Sequence, residues 1–372
     1  MKILKPTLRN NSLFYEVVQV SLGLRDYLSR CPEGEDWREI FYDAQKQAVV
    51  GVIFEVLEKL NTEGMKPPVD LLYEWIGQAE QIRQRNNQLN KRCREITQIF
   101  IKAGYECCIL KGQGNARMYK NPQNRTPGDI DLWVYGRKDN DDISKEQLRK
   151  DVTSFVRERI PDAFEQSHHI DFPIFEDVMV EVHYVPNILS NPKYDRRFRE
   201  WCIAQEKKEL LFCENAGYYV PSVYFNAVYQ MVHLFTHFFT EGIGLRHFID
   251  YFYVLKSLEV KKIEEIRNTL VGLGLDKFAR GVMWIEKECL ALEESYLLFE
   301  PDIKIGEFIK KEMEEGGNFG QYDTRFTLRN NGVLARGVAD TGRLITLARM
   351  FPSESFWKVM EKIANQRWKL KK

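Results

Sequence analysis

The chain is expected to fold as an α+β protein, a small mixed β-sheet set between two helical regions. Three observations predict this. Over the first hundred positions apolar residues recur at three- and four-residue spacing. Between positions 105 and 184 the pattern shifts to short apolar runs and strict alternation. From about position 190 the helical spacing returns. These shifts divide the chain into an N-terminal helical region 1–103, an α/β core 104–188 and a C-terminal helical region 189–372.

In the first region, WREIFYDAQKQAVVGVIFEVLEKL carries an amphipathic helical pattern, and QAEQIRQRNNQLNKRCREITQIFIKAG predicts a long polar helix with one apolar stripe. Gly104 is placed to end it in the left-handed conformation. YECCIL follows as a buried strand, and GNARMYKN as a short helix. DIDLWVYG alternates Asp129, Asp131 and Trp133 with Ile130, Leu132 and Val134, so the two sets face opposite sides of a strand. Ser144 and Gln147 form a capping box that opens SKEQLRKDVTSFVRERI. HHIDFPIF and VMVEVHYVP are two further strands joined as a hairpin through Glu176 and Asp177. Pro221 and Ser222 then open VYFNAVYQMVHLFTHFFTEG, and GLRHFIDYFYVLKSL follows as the next helix.

Composition narrows the class. At 372 residues and 44% apolar content the chain can build real cores. Its 54 basic and 54 acidic residues cancel, which makes a binder of long nucleic acid unlikely. The seven cysteines are scattered without C-x-x-C spacing, as buried thiols in a reducing compartment would be. The N-terminal MKILKPTLRN lacks an apolar leader, and AVVGVIFEVL is too short to span a bilayer. A cytoplasmic protein is expected. Residues 341–372 carry eight Lys/Arg against two Glu, the pattern of a solvated basic tail.

The chemistry concentrates in the middle segment. Two carboxylates on one strand face repel unless a cation lies between them, and a divalent ion such as Mg²⁺ or Mn²⁺ does this well. Glu181 supplies a third carboxylate. It shares a strand face with Met179 and His183, while Val180, Val182 and Tyr184 take the other. Asp129, Asp131 and Glu181 are therefore expected to form a metal cage.

With these residues in view, the chain resembles the nucleotidyltransferase superfamily that includes DNA polymerase beta, and within it a poorly characterised bacterial branch. The resemblance rests on Leu110-Lys111-Gly112 at the end of the first core strand, on RTPGDIDLWV with Arg125 ahead of the Asp-x-Asp pair, and on VEVHY with Glu181 and His183. It covers roughly residues 37–256. It implies a polymerase-beta-like core and a two-metal enzyme that moves a nucleoside monophosphate from an NTP, such as ATP, to a hydroxyl acceptor with release of pyrophosphate. In that scheme Asp129, Asp131 and Glu181 are the catalytic metal ligands. Lys111, Gly112 and Arg125 contact the nucleotide phosphates. One departure is the KGQG turn, which replaces the Gly-Gly or Gly-Ser of the superfamily and lacks the phosphate-contacting serine.

Neighbouring residues have plainer roles in prospect. His183 can orient a ligand or pair within the sheet. His233 and His237 stand four apart without the glutamate of a zinc-protease motif, so packing between regions is expected of them. Arg246 and Asp250 are spaced i, i+4 and are expected to pair, with a substrate-side role open. The acceptor is expected to be a small molecule or a protein side chain. Two other functions stay open: a catalytically inactive nucleotide binder or toxin–antitoxin-type partner on the same fold, and a metal phosphohydrolase.

Overall fold

The computed structural model describes residues 12–62, 64–325 and 333–369. The N-terminal stretch without an apolar leader and the last three residues of the basic tail lie outside these. Four helices come first: α1 (Ser12–Ser21), α2 (Gly34–Lys46), α3 (Val50–Thr62) and the long α4 (Val69–Lys102). Gly104, at φ 84°, turns the chain out of α4 as expected. The core follows as β1 (Tyr105–Ile109), the single turn α5 (Gln113–Ala116), β2 (Ile130–Arg137), α6 (Lys145–Arg157), β3 (His169–Asp171) and β4 (Val180–His183). Ser144 caps α6 by accepting from the Gln147 amide.

The sheet runs in the order β1-β2-β4-β3. β2 pairs antiparallel with β1 and parallel with β4, and β3 returns antiparallel to β4. Both faces are covered. Ile130, Leu132, Val134, Val180 and Val182 pack on Leu89, Ile96 and Phe100 of α4 and Leu148 and Val152 of α6. On the other face Cys108, Trp133 and Tyr135 join a larger cluster with the C-terminal helices. There Trp133 stacks on Phe225 at 5.6 Å between ring centroids. Full burial of such an aromatic side chain stabilises by about 1.5–3 kcal/mol.

Beyond the sheet come α7 (Pro192–Gln205), β5 (Leu210–Cys213), β6 (Tyr218–Pro221), α8 (Val223–Phe239), α9 (Leu245–Lys256), α10 (Ile263–Gly272), α11 (Asp276–Glu288), α12 (Ile303–Gly316), α13 (Val333–Ala348) and α14 (Pro352–Lys369). The β5–β6 hairpin is a departure from the helical expectation after position 190. Its Tyr218 and Val220 belong to the apolar cluster around the sheet, which thus extends past position 188. Among the described residues no helix is long and apolar enough to cross a membrane.

The N-terminal helices hold the segment that precedes β2. Gly51 of α3 lies so close to it that a Cβ there would sit 2.3 Å from the Asn124 carbonyl oxygen. From α4, the buried Asn86 donates to the carbonyls of Gln123 and Arg125, both at 2.8 Å. Gln47 does the same for α9. Its Oε1 accepts from the Leu245 amide at 2.9 Å and its backbone carbonyl from that of Arg246 at 3.3 Å. These bonds satisfy amides that a helix start leaves without intrahelical partners.

Candidate active site

The register places the polar residues of three strands in two rows on one sheet face. Asp131 of β2 pairs with Glu181 of β4, and Glu181 pairs with Asp171 of β3. One step along, Trp133 pairs with His183 and His183 with His169. Like charges side by side across a sheet are destabilising, so the carboxylate row needs compensation. Asp131, 2% exposed, receives it twice. His183 Nε2 lies 3.0 Å from Asp131 Oδ1 and 3.4 Å from Glu181 Oε2. Lys111 Nζ approaches Asp131 Oδ2 at 3.3 Å. Even so, Oδ2 is buried without a hydrogen-bond partner.

The ionisation states follow. Burial works against a charge on His183, yet its bonds to Asp131 and Glu181 push its pKa up to about 9. Burial likewise opposes the Lys111 ammonium, and Asp129, Asp131 and Glu181 together raise its pKa above the ordinary value. Burial would raise the pKa of Asp131; Lys111 and His183 outweigh it and hold the group low. For Glu181 burial is again overcome, here by the bond to His183. At neutral pH both carboxylates are ionised beside two cations.

Asp131, Glu181 and His183 each offer a ligand atom, all within 4.8 Å of one another. With His183 protonated, the two carboxylates are what this trio offers a divalent ion, and oxygen donors suit Mg²⁺ or Mn²⁺. Asp129 stands just ahead of β2, half-buried and outside this trio, though its charge acts on Lys111 and Glu181.

A pocket opens beside the carboxylates, lined by Lys111, Gly112, Asp129, His233, Arg246, His247 and Phe319 among others. Gly112 takes φ 61°, ψ −109°, a conformation open only to glycine, and thereby turns the chain at the end of β1 into this pocket. Arg246 is 6% exposed. It donates to the Thr126 carbonyl at 3.1 Å, lies over the Phe319 ring at 5.4 Å, and keeps its Nε without a partner. Burial, then the nearby Arg125, lower its pKa to about 10.

The expected Arg246–Asp250 pair does not form. Asp250 instead takes Arg125 in a bidentate pair, with both bonds at 2.7 Å, and accepts from Tyr119 at 2.6 Å. Arg125 thus lines the pocket while tied to Asp250, and Arg246 lines it without a carboxylate partner among the described residues. Planar guanidinium and carboxylate groups prefer this forked geometry, which an i, i+4 spacing on one helix does not ensure. His233 and His237 pack ring against ring at 4.2 Å, and His237 also meets Glu241 at 3.3 Å. Sequence reasoning passed over Phe319, His247, His169 and Asp171. The last two carried a signal, since HHIDF alternates as VEVHY does and the two runs were expected to pair. Phe319 carried none.

Residues 33–291 match the model of a family described as uncharacterised nucleotidyltransferase. The chain belongs to this family. Comparison with curated proteins and with solved structures gave no match. The family span contains β1 to β6, every expected site residue and the helices α8 and α9 that wall the pocket. It ends before Phe319, so this nucleotidyltransferase-family chain contributes one pocket residue from outside the shared region.

Proposed function

We propose that the protein is a divalent-metal-dependent nucleotidyltransferase of polymerase-beta-like type, which moves a nucleoside monophosphate from an NTP to a hydroxyl acceptor and releases pyrophosphate. The observation that carries this reading is the pairing of Asp131 with Glu181 across β2 and β4, joined through Lys111 to a pocket lined by Lys111, Asp129 and Arg246. Asp131 and Glu181, with Asp129 at the rim, would hold Mg²⁺ or Mn²⁺, which supplies positive charge to phosphate oxygens and acidifies an acceptor hydroxyl.

The chain's own groups do the rest. Lys111 and Arg246 present fixed positive charge to the triphosphate, and Arg246 holds this orientation through Thr126 and Phe319. Gly112 lets the backbone come close to the phosphates. Glu181, ionised and a quarter exposed, would accept the proton of the attacking hydroxyl, directly or through water. Arg125 lines the same pocket, and its pair with Asp250 steadies the segment that leads into Asp129 and Asp131.

The test is incubation with α-labelled NTPs, Mg²⁺ or Mn²⁺ and a panel of metabolites, proteins and RNAs, following both pyrophosphate and label. Label is expected on a small molecule or protein. Asp131→Asn and Glu181→Gln should each lower the rate by at least about 100-fold. An unchanged rate in both variants overturns the reading. A second reading has one observation in its favour: Asp131 is already met by two cationic side chains, Lys111 and His183, as in a nucleotide binder that needs no metal. It predicts NTP binding that is indifferent to chelation and yields no pyrophosphate.

A further inference from the structure

We propose that His169 and Asp171, with Glu181 shared from the carboxylate row, form a transition-metal site suited to Zn²⁺ on the β3 side of that row. The antiparallel register sets Asp171 opposite Glu181 and His169 opposite His183, so all four side chains share one face. A ligand atom from each of His169, Asp171 and Glu181 lies within 4.8 Å of the others. His169 is 3% exposed, and its Nε2 has no hydrogen-bond partner although it stands 3.3 Å from Asp171 Oδ1. That separation is about the 3.3 Å edge of a tetrahedron with Zn–ligand bonds near 2.05 Å. The other ring nitrogen, Nδ1, lies 3.1 Å from Nε2 of His168, the outer contact that orients a metal-ligating imidazole.

Charge points the same way. Asp131 has Lys111 and His183 beside it, whereas Asp171 and Glu181 share only histidines at ion-pair distance among the described residues. Asp171 is thus a carboxylate with no Lys or Arg partner among the described residues, facing an imidazole nitrogen that makes no hydrogen bond. The mixed nitrogen and oxygen donors favour a borderline ion over Mg²⁺, which prefers oxygen alone. This site stands whether or not the chain transfers nucleotides.

Equilibrium dialysis of the full chain against micromolar Zn²⁺ in millimolar Mg²⁺ tests it, with bound zinc measured by elemental analysis. One Zn²⁺ per chain is expected to survive the Mg²⁺ excess. His169→Ala and the shape-conserving Asp171→Asn should each weaken retention by more than about 100-fold, beyond the loss expected for an outer-shell partner. Asp131→Asn, which disables the proposed nucleotidyl site, should keep the zinc. Co²⁺ in place of Zn²⁺ should give visible absorption that disappears in Asp171→Asn. Failure of the wild-type chain to retain Zn²⁺ over Mg²⁺ overturns the proposal, as does undiminished retention in both His169→Ala and Asp171→Asn.

Discussion

Replacement of Asp250 by Ala gives the sharpest test of how the segment ahead of β2 is held. The substitution removes two 2.7 Å bonds to the Arg125 guanidinium and the acceptor of the Tyr119 hydroxyl at 2.6 Å. Arg125 and Asp250 side chains are only 4% and 8% exposed, so water cannot take over. The guanidinium keeps a long bond to the Thr126 carbonyl at 3.3 Å, which does not neutralise it. Arg246 also loses a favourable charge and is left facing Arg125. A buried charge stranded in this way costs about 3–5 kcal/mol. Urea denaturation followed by tryptophan fluorescence should show that loss for Asp250→Ala. The double variant Arg125→Leu/Asp250→Leu should recover most of it, because no charge is left behind. A destabilisation below about 1 kcal/mol for the single variant, or a double variant no better than the single, would refute the account.

Two further outcomes concern other parts of the fold. Asn86→Ala removes two buried hydrogen bonds to the Gln123 and Arg125 carbonyls and should cost about 2–3 kcal/mol in the same denaturation assay, against well under 1 kcal/mol for an exposed position on α4. Glu286 on α11 is fully buried with neither carboxylate oxygen hydrogen-bonded, and burial raises its pKa well above the ordinary value. The native state therefore holds the proton more tightly than the unfolded chain, and the native state loses stability as pH climbs from about 4. Glu286→Met should match wild type near pH 4 and exceed it by about 1–3 kcal/mol at pH 8. A stability difference that does not change with pH would contradict the assignment.

Much of the sheet was legible because its signal is local. The alternation in DIDLWVYG and VEVHY places carboxylates on one face and aliphatic residues on the other, as the burial of Leu132, Val180 and Val182 bears out. The helices of the first hundred residues and α8 were legible from their apolar spacing and from Gly104 and Ser222 at their ends. Other features depend on partners far away in the chain. Arg125 and Asp250 lie 125 positions apart, so the nearer Arg246 was the obvious partner by spacing alone. The β5–β6 hairpin was hidden because only Tyr218 and Val220 face the core strongly, while Leu211 and Phe212 are exposed. A run with mixed exposure shows neither clean alternation nor a helical stripe. Phe319, at φ 53° between two turns, gives no periodic signal at all.

That ring also bears on how such proteins could diversify. The strands and their carboxylate row lie inside the span common to the family, whereas Phe319 reaches the neighbouring cavity from a later stretch of chain. Descendants can exchange this one wall and reshape the cavity while the strands keep their inherited side chains.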